Sequence, residues 1–165
     1  MANKFNGLVN AVFLPPRNWV LNQPLTFTCK ELTDEWIKML RDCNVDIKGT
    51  TINVPTGYIT DLASVPRACW AFIAPFDVAR AAIVHDILYE KINMAFKAGT
   101  IKDREPYRLI ADTMFKLAMK CSEPAVPGWK IWSAHSAVRL FGRFAIKNSQ
   151  PRGDKPKASD VVLFN

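Results

Sequence analysis

Three short stretches of this sequence place polar side chains among apolar ones. They are Thr60-Asp61, the adjacent pair His85-Asp86, and Asp112. His85 and Asp86 stand in the middle of a run that is apolar nearly all round when drawn as a helix, and Asp112 has apolar neighbours in the next such run. Burying a carboxylate or an imidazole without a partner costs free energy. The sequence therefore predicts that these residues meet in one polar cluster.

A divalent metal ion is the first use that such a cluster suggests. One imidazole and several carboxylates suit zinc, manganese or magnesium. The candidate ligands are Asp61, His85, Asp86 and Asp112. A bound ion would lower the pKa of a water molecule so that it attacks a substrate near neutral pH, with one carboxylate as general base. This interpretation predicts a metal-dependent, hydrolase-like domain.

Two alternatives use the same region differently. Ser64 follows Asp61 in TDLASVPR, so it is a candidate nucleophile with His85 as its base and Asp61, Asp86 or Asp112 orienting the imidazole. No GxSxG motif surrounds Ser64, which weakens this alternative. In the other, Arg67 and the carboxylates form a buried ion-pair and hydrogen-bond network that fixes the helices to the sheet. The residues alone leave all three interpretations open.

Positive charge is concentrated toward the C-terminus. The net charge is +7, and residues 120–165 hold 8 basic and 3 acidic side chains. Basic residues recur every four positions in the last predicted helix and continue beyond it, at Arg139, Arg143, Lys147, Arg152, Lys155 and Lys157. Such a stripe is a candidate surface for phosphate, anionic lipid or an acidic partner, and is otherwise a solvated face. No specific nucleic-acid motif accompanies it.

The elements that must position the cluster change in character along the chain. Before residue 60, short segments separated by turns predict strands at 8–14, 19–21, 25–29 and 51–54. One helix interrupts them and is capped by Thr33 or Asp34. After residue 75 the apolar period becomes about 3.6 and predicts three helices, beginning near Asp77, Glu105 and Trp129. This order predicts an α+β fold, with a small antiparallel sheet packed against about three C-terminal helices.

Length and composition predict one folded unit. The 165 residues are 49% hydrophobic and 22% charged, which is ordinary for a globular protein. We expect a single α+β domain over residues 1–147 and an extended basic tail over residues 148–165, whose end VVLFN folds back or docks on a partner. No transmembrane segment and no convincing signal peptide is visible, and four widely spaced cysteines predict free thiols. These features predict a cytoplasmic protein.

The motif around Asp61 is long enough to compare with known families. The residues that carry the resemblance are Val54 to Arg67 (VPTGYITDLASVPR), Trp70, Pro75, His85 to Tyr89 (HDILY), Ala111-Asp112 and Val138 to Gly142 (VRLFG). Through these residues the sequence resembles the bacteriophage and prophage family known as domain of unknown function number 1353. The resemblance covers roughly residues 50–145. The family pattern includes Thr60 and Arg67, and adds Tyr89 to the candidate site as a supporting residue.

The resemblance implies a phage origin, and with it a virion component, a lysis-associated protein or a host-takeover protein. It implies no reaction. We therefore expect a phage-encoded hydrolase-like domain with a cell-wall substrate, or a non-enzymatic virion structural or assembly protein of the tail, baseplate or neck. In the second case the C-terminal tail would dock on a neighbouring virion protein. The expected location is the host cytoplasm during assembly, followed by the virion if the protein is a particle component.

Overall fold

The computed structural model describes residues 2–15, 18–61 and 78–148, with the side chains of the last helix described as far as Gly142. Within these ranges the chain is an α+β protein, as the sequence predicts. The strands are β1 (Lys4–Phe5), β2 (Ala11–Leu14), β3 (Asn18–Leu21), β4 (Leu25–Thr28), β5 (Ile47–Lys48), β6 (Thr51–Val54) and β7 (Ile59–Thr60). The helices are α1 (Asp34–Asp42), α2 (Ala79–Lys97), α3 (Glu105–Lys120) and α4 (Gly128–Asn148).

The described strands form two antiparallel sheets, not the single one that the sequence predicts. One has the order β1-β4-β6-β5 and the other the order β2-β3-β7. In the first, Phe27 of β4 stands opposite Ile52 of β6, and both side chains are fully buried. In the second, Trp19 of β3 stands opposite Thr60 of β7. Alternation along a strand identifies which face is buried but not which strand is its neighbour, so the division could not be read from the sequence.

Helix α1 begins as the sequence predicts. The side chain of Thr33 accepts a hydrogen bond from the backbone N–H of Trp36 at 3.2 Å. This bond satisfies one of the amide groups that the first turn leaves without an intrahelical partner. Ile37 and Leu40 occupy the buried side of the helix, where they join the core.

Helices α2, α3 and α4 share one hydrophobic core with α1 and the strands. Helix α2 is buried on most of its circumference, as its sequence indicates. It begins after Val78, and Asp77, the predicted cap, lies outside the described residues. Gly99, with φ of +75°, follows α2, and Pro106 stands in the first turn of α3. Both placements follow the known preferences of glycine after a helix and proline at its start.

Two further expectations concern membranes and thiols. Among the helices described, none combines the length and hydropathy needed to cross a bilayer. Cys29, Cys43 and Cys121 are free thiols, as the sequence predicts, and Cys69 lies outside the described residues.

Candidate functional site

Asp112 is the centre of a buried polar network. Its side chain is fully buried in α3. Oδ1 accepts hydrogen bonds from Nε2 of His85 at 2.9 Å and from the Tyr89 hydroxyl at 2.6 Å. Oδ2 accepts a hydrogen bond from Nη1 of Arg139 at 2.9 Å. Both carboxylate oxygens are therefore satisfied by three donors from two other helices.

The spacing of residues along each helix explains how the network assembles. His85 and Tyr89 are four residues apart in α2, so they lie on the same side of that helix and reach the same carboxylate. Their rings also contact each other, with centroids 4.0 Å apart, and Phe115 of α3 lies against the imidazole at 5.0 Å. The imidazole is thus held in place by its hydrogen bond and by two aromatic rings.

A second group of charged side chains surrounds Asp112. Arg108 is only 2% exposed, and its Nε is 3.9 Å from Oδ2 of Asp112. Its Nη2 donates to Oε1 of Glu105 at 3.2 Å and to the backbone carbonyl of Arg139 at 3.1 Å. Arg139 also donates to Oε1 of Glu105, at 3.1 Å. Two guanidinium groups and two carboxylates thus balance each other and join α3 to α4.

The charges around Asp112 change its pKa and those of its neighbours. Burial alone would raise the pKa of Asp112, but the hydrogen bond and charge of His85, with the bonds from Tyr89 and Arg139, lower it below its ordinary value. Burial and the charge of Asp112 raise the pKa of Tyr89. The pKa of Arg139 is raised because Asp112 and Glu105 outweigh burial, which would lower it. Asp112 is therefore an ionised acceptor, and Tyr89 is a neutral donor.

Three buried nitrogen atoms in this network have no hydrogen-bond partner among the described residues. They are Nδ1 of His85 and both Nε and Nη1 of Arg108. Each such atom costs roughly 1–3 kcal/mol relative to its hydrated state. Because an ionised carboxylate can only accept, His85 must carry its proton on Nε2 to donate to Asp112. The imidazole, when neutral, therefore has its basic lone pair on the unpartnered Nδ1.

Asp86 belongs to a different contact group from His85. Consecutive residues in a helix point about 100° apart, and Asp86 accepts a hydrogen bond from the Thr60 hydroxyl of β7 at 2.6 Å. Nearby, the Tyr58 hydroxyl donates to Oε2 of Glu90 at 3.4 Å. Burial first, then the charges of Asp86, Glu90 and Asp61, raise the pKa of Tyr58. The described contacts thus divide the predicted single cluster into a His85–Asp112 group and a Thr60–Asp86 group.

The donor set at Asp112 does not fit a metal site. Both of its oxygens already accept hydrogen bonds, and one of the donors is a guanidinium group 2.9 Å away. A second cation would have to displace Arg139 and would be repelled by it. Within the ranges that the structure describes, no three His, Cys, Asp or Glu residues are grouped to hold an ion. His85 and Asp112 are therefore arranged as a hydrogen-bonded pair, and the metal ion stays a prediction.

Several predicted site residues lie outside what the structure describes. Ser64 and Arg67 fall in the undescribed range 62–77, so neither the predicted nucleophile nor the arginine of the predicted ion-pair network is placed. The predicted basic stripe changes at its first member, because the Arg139 guanidinium turns inward to Asp112 and Glu105. The remaining members have undescribed side chains, namely Arg143, Lys147, Arg152, Lys155 and Lys157.

Three participants in the network were not predicted from the sequence. Arg108 and Glu105 were not singled out, because charged residues on a helix are exposed in most proteins. The available signal was their spacing from Asp112, since positions 105, 108 and 112 recur on one side of α3. Gly142 of α4 is the third: a Cβ atom at this position would overlap the Tyr89 hydroxyl. The glycine lets Tyr89 pass close to α4 and reach Asp112.

Comparison with known proteins identifies the family. The family described as "Protein of unknown function (DUF1353)" matches residues 37–138, well over half of the chain. The chain belongs to this family. The DUF1353 match includes His85, Tyr89 and Asp112 and ends one residue before Arg139, and residues 1–36 lie outside it. Searches of curated proteins and of solved structures found no match. The resemblance to domain of unknown function number 1353 is thereby confirmed, and the phage origin stays a prediction.

Proposed function

We propose that this protein is a phage-encoded, hydrolase-like domain in which His85 is the general base and Asp112 orients it. One observation carries the proposal: the imidazole is fixed through Nε2 to a buried, ionised carboxylate, while Nδ1 has no hydrogen-bond partner in the part of the chain that the structure describes. A network that served stability alone would gain by satisfying that atom. An unpaired basic nitrogen is what a general base needs.

The chemistry follows from the two nitrogens of the ring. Nδ1 would take a proton from a nucleophile as the nucleophile attacks a carbonyl carbon, and the imidazolium that forms is stabilised by the charge of Asp112. When the C–N or C–O bond of the substrate breaks, Nδ1 would return that proton to the departing nitrogen or oxygen. The ring is only 2% exposed, so a water molecule or a hydroxyl group of the protein is the nucleophile of suitable size. Ser64 is the hydroxyl group that the sequence offers. Peptide or ester bonds of the host cell wall are the proposed substrates, in keeping with a role in lysis.

The test compares cell-wall hydrolysis by the parent protein and by His85→Gln. Glutamine retains an N–H that can donate to Asp112 but has no basic nitrogen. We expect clearing of a peptidoglycan gel by the parent and a loss of about 100-fold or more in His85→Gln, in line with the usual contribution of a general base. Asp103→Asn is the matched control, because Asp103 is exposed and an asparagine oxygen can still accept from the Glu105 amide. Equal activity in the parent and His85→Gln, or no hydrolysis by the parent, would contradict the proposal.

The predicted zinc, manganese or magnesium ion is a separate hypothesis that this proposal does not use. Metal analysis of protein purified without chelator distinguishes the two. If His85 and Asp112 act as base and orienting carboxylate, the amount of bound metal should be the same in the parent and in His85→Gln. One ion per chain in the parent, absent from His85→Gln, would make His85 a ligand and overturn its assignment as the base.

A non-enzymatic virion structural or assembly protein is the second candidate. It is favoured by apolar side chains at the N-terminus, where the family match is absent. Leu8 is 82% exposed, and Val12 and Phe13 of β2 are 42% and 47% exposed. Strand β2 is at the edge of its sheet, so its outer backbone groups can pair with a strand of another virion protein. The predicted docking of residues 148–165 would provide a second attachment.

Mass spectrometry of purified particles tests this candidate. A virion protein of the tail, baseplate or neck should be present in particles. Val12→Asp, which places a charge on the outer part of β2, should reduce its incorporation, and deletion of residues 149–165 tests the tail separately. Met94→Asp, at a half-exposed position of α2, is a control for the effect of a surface charge. Absence of the protein from particles would rule the candidate out.

A further inference from the structure

The outer surface of α4 is apolar over several turns. Trp129 is 56% exposed, Trp132 is 70% exposed and Leu140 is 63% exposed. With Ser136 they follow a spacing of three, four and four residues, which keeps them within about 80° of one another around the helix. We call these four residues the α4 stripe. The opposite side of α4 is occupied by core residues such as Ile131, Ala134 and Val138, so the stripe is not needed for folding of this chain.

The α4 stripe contains no charged residue. Lys130 follows Trp129 and is therefore about 100° away from it around the helix. Arg139 is directed to Asp112 and Glu105, and the next cation of α4 is Arg143, two helical turns after Ser136, whose side chain lies outside those described. The Lys130 ammonium group lies 5.9 Å from the centre of the Trp129 ring, and exposed tryptophan is typical of the central part of a protein interface. A membrane surface favours a helix with a strongly basic polar face, so a lipid surface is the alternative occupant that a vesicle-binding experiment has to distinguish.

From this surface we infer that the protein forms a homodimer through α4, with the two α4 helices antiparallel about a twofold axis at Ser136. Two residues of the stripe, Trp132 and Leu140, are self-complementary about that position. Because Trp132 and Leu140 are each four residues from Ser136, Trp132 stands opposite Leu140 of the partner subunit and the reverse contact is identical. The interface thus contains two identical contacts, each between the indole ring of Trp132 in one subunit and the Leu140 side chain of the other.

The centre of the stripe allows the helices to approach closely. Ser136 is small, and Ser133 beside it directs its hydroxyl to the carbonyl of Trp129 at 2.9 Å, so that hydroxyl is already satisfied. Small residues at a crossing point permit helix axes to come within about 8–10 Å. At that separation the two Ser136 Cα atoms fall within the range that a disulfide can bridge.

The area of the surface is consistent with a stable dimer. The exposed parts of Trp129, Trp132 and Leu140 amount to roughly 400 Å² per chain, taking full side chains of about 150–250 Å². A standard protein interface buries about 800 Å² per partner, of which somewhat more than half is apolar. Leu109 and Phe141, which are 48% and 55% exposed, are further apolar residues on α3 and α4. The stripe therefore supplies most of the apolar area that such an interface contains.

Sedimentation equilibrium of the full chain between about 1 and 100 μM tests the inference, a range that covers ordinary dimer affinities. The parent should be a dimer. Trp132→Asp and Leu140→Asp should each raise the dissociation constant at least tenfold with little change in thermal stability, because each charge is placed on an exposed side chain. Met94→Asp is the matched control, since Met94 is a half-exposed apolar residue on another helix. A parent that remains monomeric, or a dimer unaffected by both α4 variants, would overturn the inference.

Cross-linking tests the predicted symmetry. Oxidised Ser136→Cys should form a covalent dimer that the parent and Met94→Cys do not form, because only position 136 faces itself across the axis. A membrane is the other possible occupant of the stripe, and binding to vesicles that contain anionic phosphatidylglycerol tests it. A monomeric parent whose tryptophan emission shifts to shorter wavelength on these vesicles would identify the stripe as a lipid-binding surface and contradict the dimer.

Discussion

At the scale of single residues, Asp112 shows how a carboxylate is kept ionised inside a protein. Its desolvation is offset by three donors within hydrogen-bonding distance and by a second guanidinium group 3.9 Å away. Arg108 and Arg139 depend on it in turn, since Arg108 is almost completely buried. Removing one member of a buried ion pair leaves the others with uncompensated charge. The carboxylate is therefore required both by the candidate base and by the arginines.

We expect Asp112→Asn to lower the free energy of unfolding by about 3–5 kcal/mol, the usual cost of breaking a buried ion pair. Asparagine has nearly the same shape but carries no charge, and its N–H₂ group would face N–H or O–H donors. Urea unfolding followed by far-ultraviolet circular dichroism measures the change. Asp103→Asn should change it by less than about 0.5 kcal/mol, because Asp103 is exposed. A cost below about 1 kcal/mol for Asp112→Asn would contradict the structure of the network.

The sequence predicted which polar residues are buried near one another, but not which of them form hydrogen bonds together. His85 and Asp112 stood out because polar residues in apolar helices need partners, and the structure brings them into contact. Asp86 stood out for the same reason, but its direction depends on how α2 rotates about its own axis against β7. That rotation is fixed by packing of the whole core and not by local spacing. Arg108 was overlooked because only the structure reveals that an arginine on α3 is buried.

At the scale of elements, the network joins α2, α3 and α4, and its geometry depends on how closely α4 approaches α2. Gly142 sets that approach, since its missing side chain leaves room for the Tyr89 hydroxyl. The four described helices were predictable because the apolar period and the end signals agree, as at Thr33 and at Pro106. The close approach at Gly142 was not predictable, because a glycine inside a helix has no sequence signal that names its neighbour.

Replacing Gly142 with alanine should therefore cost about 1–3 kcal/mol, the usual range for overpacking. The cost should fall in a Tyr89→Phe background, because phenylalanine lacks the oxygen atom that the new methyl group would overlap. A double-mutant cycle measured by urea unfolding gives this coupling. Gly128→Ala on the same helix is the control, since a Cβ atom there meets nothing within 4 Å. Strictly additive costs for Gly142→Ala and Tyr89→Phe would show that the two residues do not interact.

At the scale of the whole molecule, buried titratable groups limit the pH range in which the fold is stable. Burial raises the pKa of the Cys29 thiol from 9.0 to about 12 and that of Cys43 to about 11. Burial, followed by the charge of nearby carboxylates, raises the pKa of Tyr58 and Tyr89. Asp112 differs, because its hydrogen bonds lower its pKa in spite of burial. The folded chain thus holds protons that the unfolded chain loses in alkali, and lacks one that the unfolded chain binds in acid.

The direction of each effect follows from linkage. A group whose pKa is raised by folding stabilises the fold fully below its unfolded pKa, and that contribution is lost as the pH rises toward the folded value. Cys29 and Cys43 therefore begin to weaken the fold above about pH 9, their ordinary pKa. Asp112 acts in the opposite direction, because its contribution is present above its ordinary pKa of 3.8 and declines as the pH falls through the lower folded value.

We accordingly expect the free energy of unfolding to be highest between about pH 7 and 8 and to fall on both sides of that range. Burial also lowers the pKa of His135 below its ordinary 6.5, so the decline in acid begins there, where the unfolded chain binds a proton that the folded chain lacks. On the alkaline side each buried thiol should add a slope that approaches about 1.4 kcal/mol per pH unit. Guanidinium unfolding under reducing conditions, repeated from pH 3 to about pH 10, measures the profile. Cys29→Ala and Cys43→Ala lower the stability at every pH through the cavities that they leave, so the slope above pH 9 is the quantity to compare. That slope should be shallower in each single variant than in the parent. In the variant that combines both substitutions, the reduction in slope should equal the sum of the two single reductions. If the combined variant loses stability as steeply as the parent between pH 9 and 10, the thiols are not protected by burial and the alkaline limit has another origin.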